Sequence, residues 1–393
     1  MKKKVGYSIF SILMFFSFSI KAQNQADGRV NTITSAVPFL MICPDSRAGG
    51  MGETGVATTP DVNSMHWNPA KYSFTNSDFG VALSYTPWLK NLADDINLSY
   101  LAGYKKIGKK QAIGASLRYF SLGNITFTNI AGGVIRDYRP HEFALDVSYS
   151  FLLSKYFSAS TSLRYINSNL TGGVYAQDAA TKPARTVAAD LSGYYHRPIQ
   201  LSGKDAILIF GLNISNMGAK VSYTDESQQD FIPTNMRLGA GLSYSIDDYN
   251  KINGSLEFNK LLIPTPPLYA ENLTTGEWEI VSGRDPKEIG VASGIFSSFS
   301  DAPDGFKEEL SEIITTIGVE YWYADQFAIR AGYFNEHQNK GNRKFLTFGL
   351  GLRLNVFGLD FAYLAPTSGR ENPLAGTVRF SLLFNFEALS EAK

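Results

Sequence analysis

QAIGASLRYF, residues 111–120, is the stretch on which the fold turns. Ile113, Ala115, Leu117 and Tyr119 share one parity, and Gly114, Ser116 and Arg118 share the other. Side chains on an extended chain alternate faces with a period of two, so the stretch reads as a strand with one apolar and one small or polar side. FSASTSLRY, residues 157–165, repeats the pattern, and so does MRLGAGLSYS, residues 236–245. A soluble sandwich alternates in the same way. A membrane barrel adds an asymmetry, with tight turns on one side and long loops on the other.

That asymmetry is present. About fourteen such strands fit between Asp78 and Phe386, an even number as in bacterial outer-membrane barrels. The predicted sixth and seventh run over Val187–Arg197 and Ile207–Asn216. Connections after even-numbered strands are mostly short: Ile107–Lys109, Leu152–Tyr156, Asp247–Asn250, Ala324–Gln326 and Asn355–Val356. Those after odd-numbered strands are longer, notably Ser121–Pro140, Ser168–Thr186 and Leu261–Glu312. An even strand count places both termini on the short-turn side, which is the periplasm. Residues 387–393 then form a periplasmic C-terminal tail. The expected fold is all-β, a transmembrane antiparallel barrel over residues 78–386.

The front of the chain agrees. Residues 1–22 carry Lys2, Lys3 and Lys4, an apolar run from Val5 to Ile20, and Ala22 as the expected cleavage site of a secretory signal peptide. The apolar run is shorter than the roughly 20 residues of a spanning helix, and no later segment reaches that length, so a membrane protein here must be a closed barrel. Formal net charge is zero, so nothing suggests a nucleic-acid partner, and a barrel of this kind implies outer-membrane lipid as its surroundings. A single cysteine, Cys43, rules out an intramolecular disulfide framework.

Residues 23–77 are too long and too patterned for a leader. They hold SRAGGMGETGVAT, residues 46–58, then NSMHWNPAKY, residues 63–72. Gly50, Gly52 and Gly55 satisfy G-x-G-x-x-G, but a dinucleotide site needs a strand before and a helix after it. Thr58-Thr59-Pro60-Asp61 interrupts any such helix. Glycines that permit close backbone approach suit a hatch packed inside the barrel lumen instead. Arg47, Gly49, Gly50, Gly52, Trp67, Asn68 and Pro69 are the candidate hatch residues, with Arg47 expected to meet acids on the lumen wall.

The two hatch motifs resemble those of the fatty-acid-transporter (FadL-like) barrels. More closely, the chain resembles the PorV family, outer-membrane components of the type IX secretion system. The hatch motif is shared with sister families, including PorQ and hydrocarbon transporters. KLLIPTPP, residues 260–267, and the acidic stretch Asp304–Glu312 point to PorV within them. The resemblance implies a non-enzymatic shuttle. It would bind the C-terminal signal domain of secreted cargo at the extracellular face, receive it from the type IX translocon barrel, and deliver it to the surface attachment complex with its sortase-like protease. Rival readings are a FadL-like hydrophobic-substrate uptake channel and a lipopolysaccharide deacylase.

Chemistry-bearing motifs are scarce. The four histidines, His66, His141, His196 and His337, fall in no metal-ligand spacing, and there is no G-x-S-x-G elbow. No catalytic, cofactor or metal site is expected. The strongest functional signal is the connection Leu261–Glu312, because connections of that length are usually functional or disordered. Pro264, Pro266 and Pro267 stiffen its start. Phe306, Leu310 and Ile313 beside Lys307, Glu308, Glu309 and Glu312 read as one short amphipathic helix. The connection is either a lid on the barrel's own mouth or a docking surface. In the second reading Leu261, Leu262, Pro264, Pro266, Pro267, Phe306 and Leu310 are the candidate partner contacts.

Overall fold

Fourteen antiparallel strands close on themselves in the computed structural model. It describes residues 30–386 apart from 91–92, 129–131, 174, 177–178, 225–228, 273–274, 368–373 and 375. The predicted signal peptide, residues 1–22, and the tail, 387–393, lie outside the described residues.

The wall runs β1 (Phe79–Pro87), β2 (Ile96–Ile107), β3 (Gln111–Leu122), β4 (His141–Ser154), β5 (Phe157–Asn169), β6 (Ala184–Leu201) and β7 (Lys204–Gly218). It continues through β8 (Asn235–Ser245), β9 (Asn250–Leu261), β10 (Ile314–Tyr323), β11 (Phe327–Asn335), β12 (Lys344–Leu354), β13 (Phe357–Pro366) and β14 (Val378–Phe386). Each strand pairs with the next. The seam is closed by β1 and β14, from Phe79 opposite Phe386 to Tyr85 opposite Phe380. Burial follows the alternation in the sequence with the usual sense reversed. On β4, Leu145, Val147 and Tyr149 are exposed while Ala144, Asp146, Ser148 and Ser150 are buried, because the outer face meets lipid and the inner face is covered by protein.

One connection differs from its sequence reading. Residues 198–206 separate the predicted sixth and seventh strands, yet β6 and β7 stay paired through them to a tight turn at Ser202-Gly203. Both turn residues have positive φ, 51° and 77°, which matches the right-handed twist of a hairpin. Toward the turn the apolar alternation lapses while the backbone ladder continues, so the pattern stops before the strands do.

Residues 30–78 thread the lumen. Asn31 donates its backbone N–H to the carbonyl of Asn339, in the β11–β12 connection at the long-loop end. At the other end Lys106 Nζ donates to the Thr75 carbonyl and Asp78 joins the ladder of β2. Between them lie α1 (Ser46–Gly49), α2 (Ser64–Trp67) and two 3-10 turns, Pro38–Met41 and Pro69–Phe74. The two ends of the described chain thus lie on opposite sides, whereas the even strand count alone would place both on the short-turn side. Phe386 is there, beside the β12–β13 turn, but the described chain starts at the opposite end because the hatch adds a fifteenth traverse to fourteen strands.

Candidate functional site

The hatch meets the wall glycine to glycine. A Cβ on Gly50 would lie 2.9 Å from the Cα of Gly349 on β12. Gly52 has φ +68°, and a Cβ there would lie 2.7 Å from the Ile317 carbonyl oxygen and the Tyr333 amide nitrogen. Its N–H donates to Thr347 Oγ1 at 2.7 Å. Gly49 faces the side chain of Arg379. The G-x-G-x-x-G spacing is thus a row of wall contacts that follows one helical turn and opens no helix of its own.

Local hydrogen bonds hold that shape. Asp45 caps α1 by accepting from the Ala48 N–H at 3.0 Å, and its second oxygen accepts from Trp67 Nε1 at 2.6 Å. The Trp67 ring packs on Gly55, with the Arg237 guanidinium 5.0 Å from its centroid. Asn68 caps the turn that begins at Pro69, and its amide donates to the carbonyls of Val56 at 3.1 Å and Gly193 at 3.0 Å.

Across this interface runs a chain of alternating charge. Arg47 donates to Asp61 at 2.8 Å and to Glu320 on β10 at 2.7 and 3.0 Å. Arg330 on β11 joins Glu320 at 2.6 Å and Asp360 on β13 at 2.9 Å, and Arg353 closes on Asp360 at 2.8 Å. Three carboxylates and three guanidiniums balance, as buried charges must. Glu257 on β9 accepts the N–H groups of Gly55 and Val56 at 2.8 and 2.9 Å. Arg379 binds Glu53, and Arg164 bridges Asp146 and Asp190 within the wall. Below the hatch, at the short-turn end, is a blind cavity of about 500 Å³ lined by Asp61, Phe74, His196, Lys251, Trp322 and Arg353 among others.

The long-loop end is capped by the Leu261–Glu312 connection. It contains a hairpin (Leu268–Glu271 with Trp278–Ser282), α3 (Val291–Ser297) and α4 (Phe306–Ser311). α4 lies where the amphipathic pattern predicts a helix, with its faces reversed. Phe306 and Leu310 are 76% and 53% exposed, while Glu309 and Glu312 are buried. Two buried lysines from the wall side cause the reversal. Lys260 reaches Glu309 at 3.0 Å and Glu312 at 2.6 Å, and Lys340 reaches Glu308 at 2.5 Å and Glu312 at 3.0 Å. Burial by itself would lift the Glu308 carboxyl, but hydrogen bonds from Lys340 and the Asp304 N–H bring it below the ordinary value. Burial does lift Asp301.

The seven candidate contacts of this connection divide. Leu262, Pro264 and Pro267 are buried, Leu261 and Pro266 are half-buried, and only Phe306 and Leu310 stand out from the surface. Phe296, Phe299, Trp278 and Val281 of the same connection, not singled out from the sequence, are also exposed. Sequence reasoning also passed over Glu320, Arg330 and Asp360. Their signal was a charged residue at the inward parity of a strand whose other face is apolar. The histidines pack: His66 sits 2.6 Å from Arg118, His196 stacks on Phe74 and His141 on Tyr119, and His337 is in a loop. No group of three His, Cys, Asp or Glu side chains among the described residues is placed to hold a metal ion.

A lipid-facing barrel with its own amino-terminal segment packed in the lumen defines the class of plugged outer-membrane barrels. The family described as type IX secretion system protein PorV matches residues 23–268, and the chain belongs to that family. It is therefore an outer-membrane barrel of type IX secretion. Among solved structures, the TodX deltaS2S3 mutant monoaromatic hydrocarbon channel is similar with a TM-score of 0.51 at 13% identity, over 87% of this chain and 99% of that one. The Pseudomonas putida toluene transporter TodX gives 0.48 at 12%, over 90% and 98%. A Pseudomonas aeruginosa FadL homologue gives 0.43 at 12%, over 88% and 98%. The first likeness is one of fold alone. No curated protein sequence matches the chain.

Proposed function

We propose that this barrel is a non-enzymatic shuttle that holds the C-terminal signal domain of secreted cargo at the extracellular face. It takes cargo from the type IX translocon barrel and passes it to the surface attachment complex and its sortase-like protease. The long-loop end faces outward in this reading, and the short turns and the tail after Phe386 face the periplasm. The observation that carries it is the filled lumen: with Arg47, Glu53 and the Gly55–Val56 backbone tied to wall residues, no path for a protein runs through the barrel. Recognition is then left to the outside, where Phe306 and Leu310 project from the cap. Buried Leu262, Pro264 and Pro267 hold that surface in place, which lowers the entropy cost of binding.

Two experiments test this. Replacing residues 261–312 with a short Gly-Ser linker should leave an assembled barrel and strand cargo in the periplasm or translocon. The double variant Phe306→Ser, Leu310→Ser should do the same more mildly. Normal secretion and surface attachment with the loopless barrel would overturn the docking role of this connection. Affinity purification should bring down the translocon barrel and cargo. Recovery of bound fatty acid without either would favour the uptake channel.

A further inference from the structure

The hatch and the cap are joined by a short segment that neither role accounts for. Residues 31–37 run under the cap before the chain enters the lumen. Asn31 makes three bonds there: its N–H to the Asn339 carbonyl at 3.1 Å, and its side-chain amide to the Pro266 carbonyl at 3.1 Å and to Glu308 Oε1 at 3.0 Å. Glu308 is the α4 carboxylate held by Lys340. Ile33 packs on the cluster of Phe231, Ile263 and Ile289, two of which belong to the cap connection. Ala36 donates to the Phe231 carbonyl at 2.9 Å.

The far end of this segment is strained. Val37 is buried in left-handed geometry, φ 48° and ψ 49°, and Pro38 follows it. A β-branched residue is rare in that region, and a residue before proline is pushed away from helical geometry as well. Such a conformation persists only while its surroundings impose it. The anchors on one side are the cap contacts. On the other, Arg118 holds the carbonyls of Phe39 and Leu40. Cys43 is buried three residues further on.

We propose that residues 31–37 are a strap that couples the cap to the hatch, with Val37 as its pivot. A partner that lifts α4 takes Glu308 from Asn31, the strap slackens, and the upper hatch loosens around Cys43. The strap itself does not depend on the shuttle reading, which only suggests what lifts α4.

Cys43 is the sole cysteine of the chain and so reports on the hatch directly. Its alkylation by a small maleimide should be followed on the full mature chain in detergent, with heat-modifiable gel mobility verifying a folded barrel. Lys340→Met should accelerate labelling at least tenfold. Asn31→Ala, which leaves the Lys–Glu cluster intact, should also accelerate it and serves if the first variant does not fold. Lys251→Ala, at the exposed pair with Asp325 on the short-turn end, should leave the rate unchanged. A disulfide between cysteines placed at Asn31 and Asn339 should restore protection in the Lys340→Met background. Unchanged labelling in a folded Asn31→Ala barrel would overturn the strap. Fast labelling that persists with the cross-link in place would overturn it as the route between cap and hatch. No secretion partner enters the assay, so its failure is separable from failure of the proposed function.

Discussion

Glu320 shows how single residues tie the hatch to the wall. Its carboxylate is fully buried and shared between Arg47 of the hatch and Arg330 of the neighbouring strand. Glu320→Gln would leave two buried guanidiniums short of a counter-charge, at a cost of roughly 3–5 kcal/mol. The midpoint of urea unfolding in lipid vesicles measures this. The exposed pair Lys251–Asp325 is the control, and Lys251→Ala should change the unfolding free energy by less than about 1 kcal/mol. Gly50→Ala tests the backbone contact in the same assay. Its Cβ would press on the Cα of Gly349, where neither main chain can yield, and a loss of about 1–3 kcal/mol is expected. The glycines and Arg47 stood out in the sequence because a run of small residues beside a lone charge is conspicuous. Their partners did not. Arg47 and Glu320 are 273 positions apart, and strand alternation gives the side on which a residue lies without giving its neighbour across the lumen.

Strands were the most legible elements, because lipid imposes a periodicity that the chain must carry in every span. β12 is typical, with Leu346, Phe348 and Leu350 exposed outward and Phe345, Thr347, Gly349 and Gly351 buried inward. Leu350→Arg should cost roughly 2–4 kcal/mol near the bilayer midplane, whereas Leu350→Met should be almost silent. Equal folded fractions of the two variants on refolding into vesicles would contradict the register. Outside the bilayer that constraint ends and legibility falls with it. The small hairpins at Ile125–Thr128 with Val134–Tyr138 and at Leu268–Glu271 with Trp278–Ser282 carry no period that sets them apart from loop. In α4 the helix was legible and its orientation was not. An apolar stripe normally turns inward, but Lys260 and Lys340 draw the acidic face down and leave Phe306 and Leu310 outside.

At the scale of the molecule the hatch is expected to decide permeability. Removing residues 31–74 should convert a closed barrel into a conducting one, seen as discrete openings in planar bilayers. Conductance unchanged by the deletion would mean that the wall and cap seal the lumen unaided. The fifteenth traverse has a further consequence, for the order of construction. The hatch enters at one mouth, at Asn31, and leaves at the other, at Asp78. In between it carries Arg47, Glu53 and Trp67 against the wall residues Glu320, Arg379 and Arg237. A finished cylinder would have to swallow that segment lengthwise, stripping water from each charge before its partner was reached. Wrapping the wall around a thread already in place avoids that cost, and it predicts that the joint from Phe79–Phe386 to Tyr85–Phe380 is sealed last. Biogenesis then follows the logic of a stave barrel raised about its contents, and a chain arrested before that joint closes should already hold Asn31 on the far side of the membrane from Phe386.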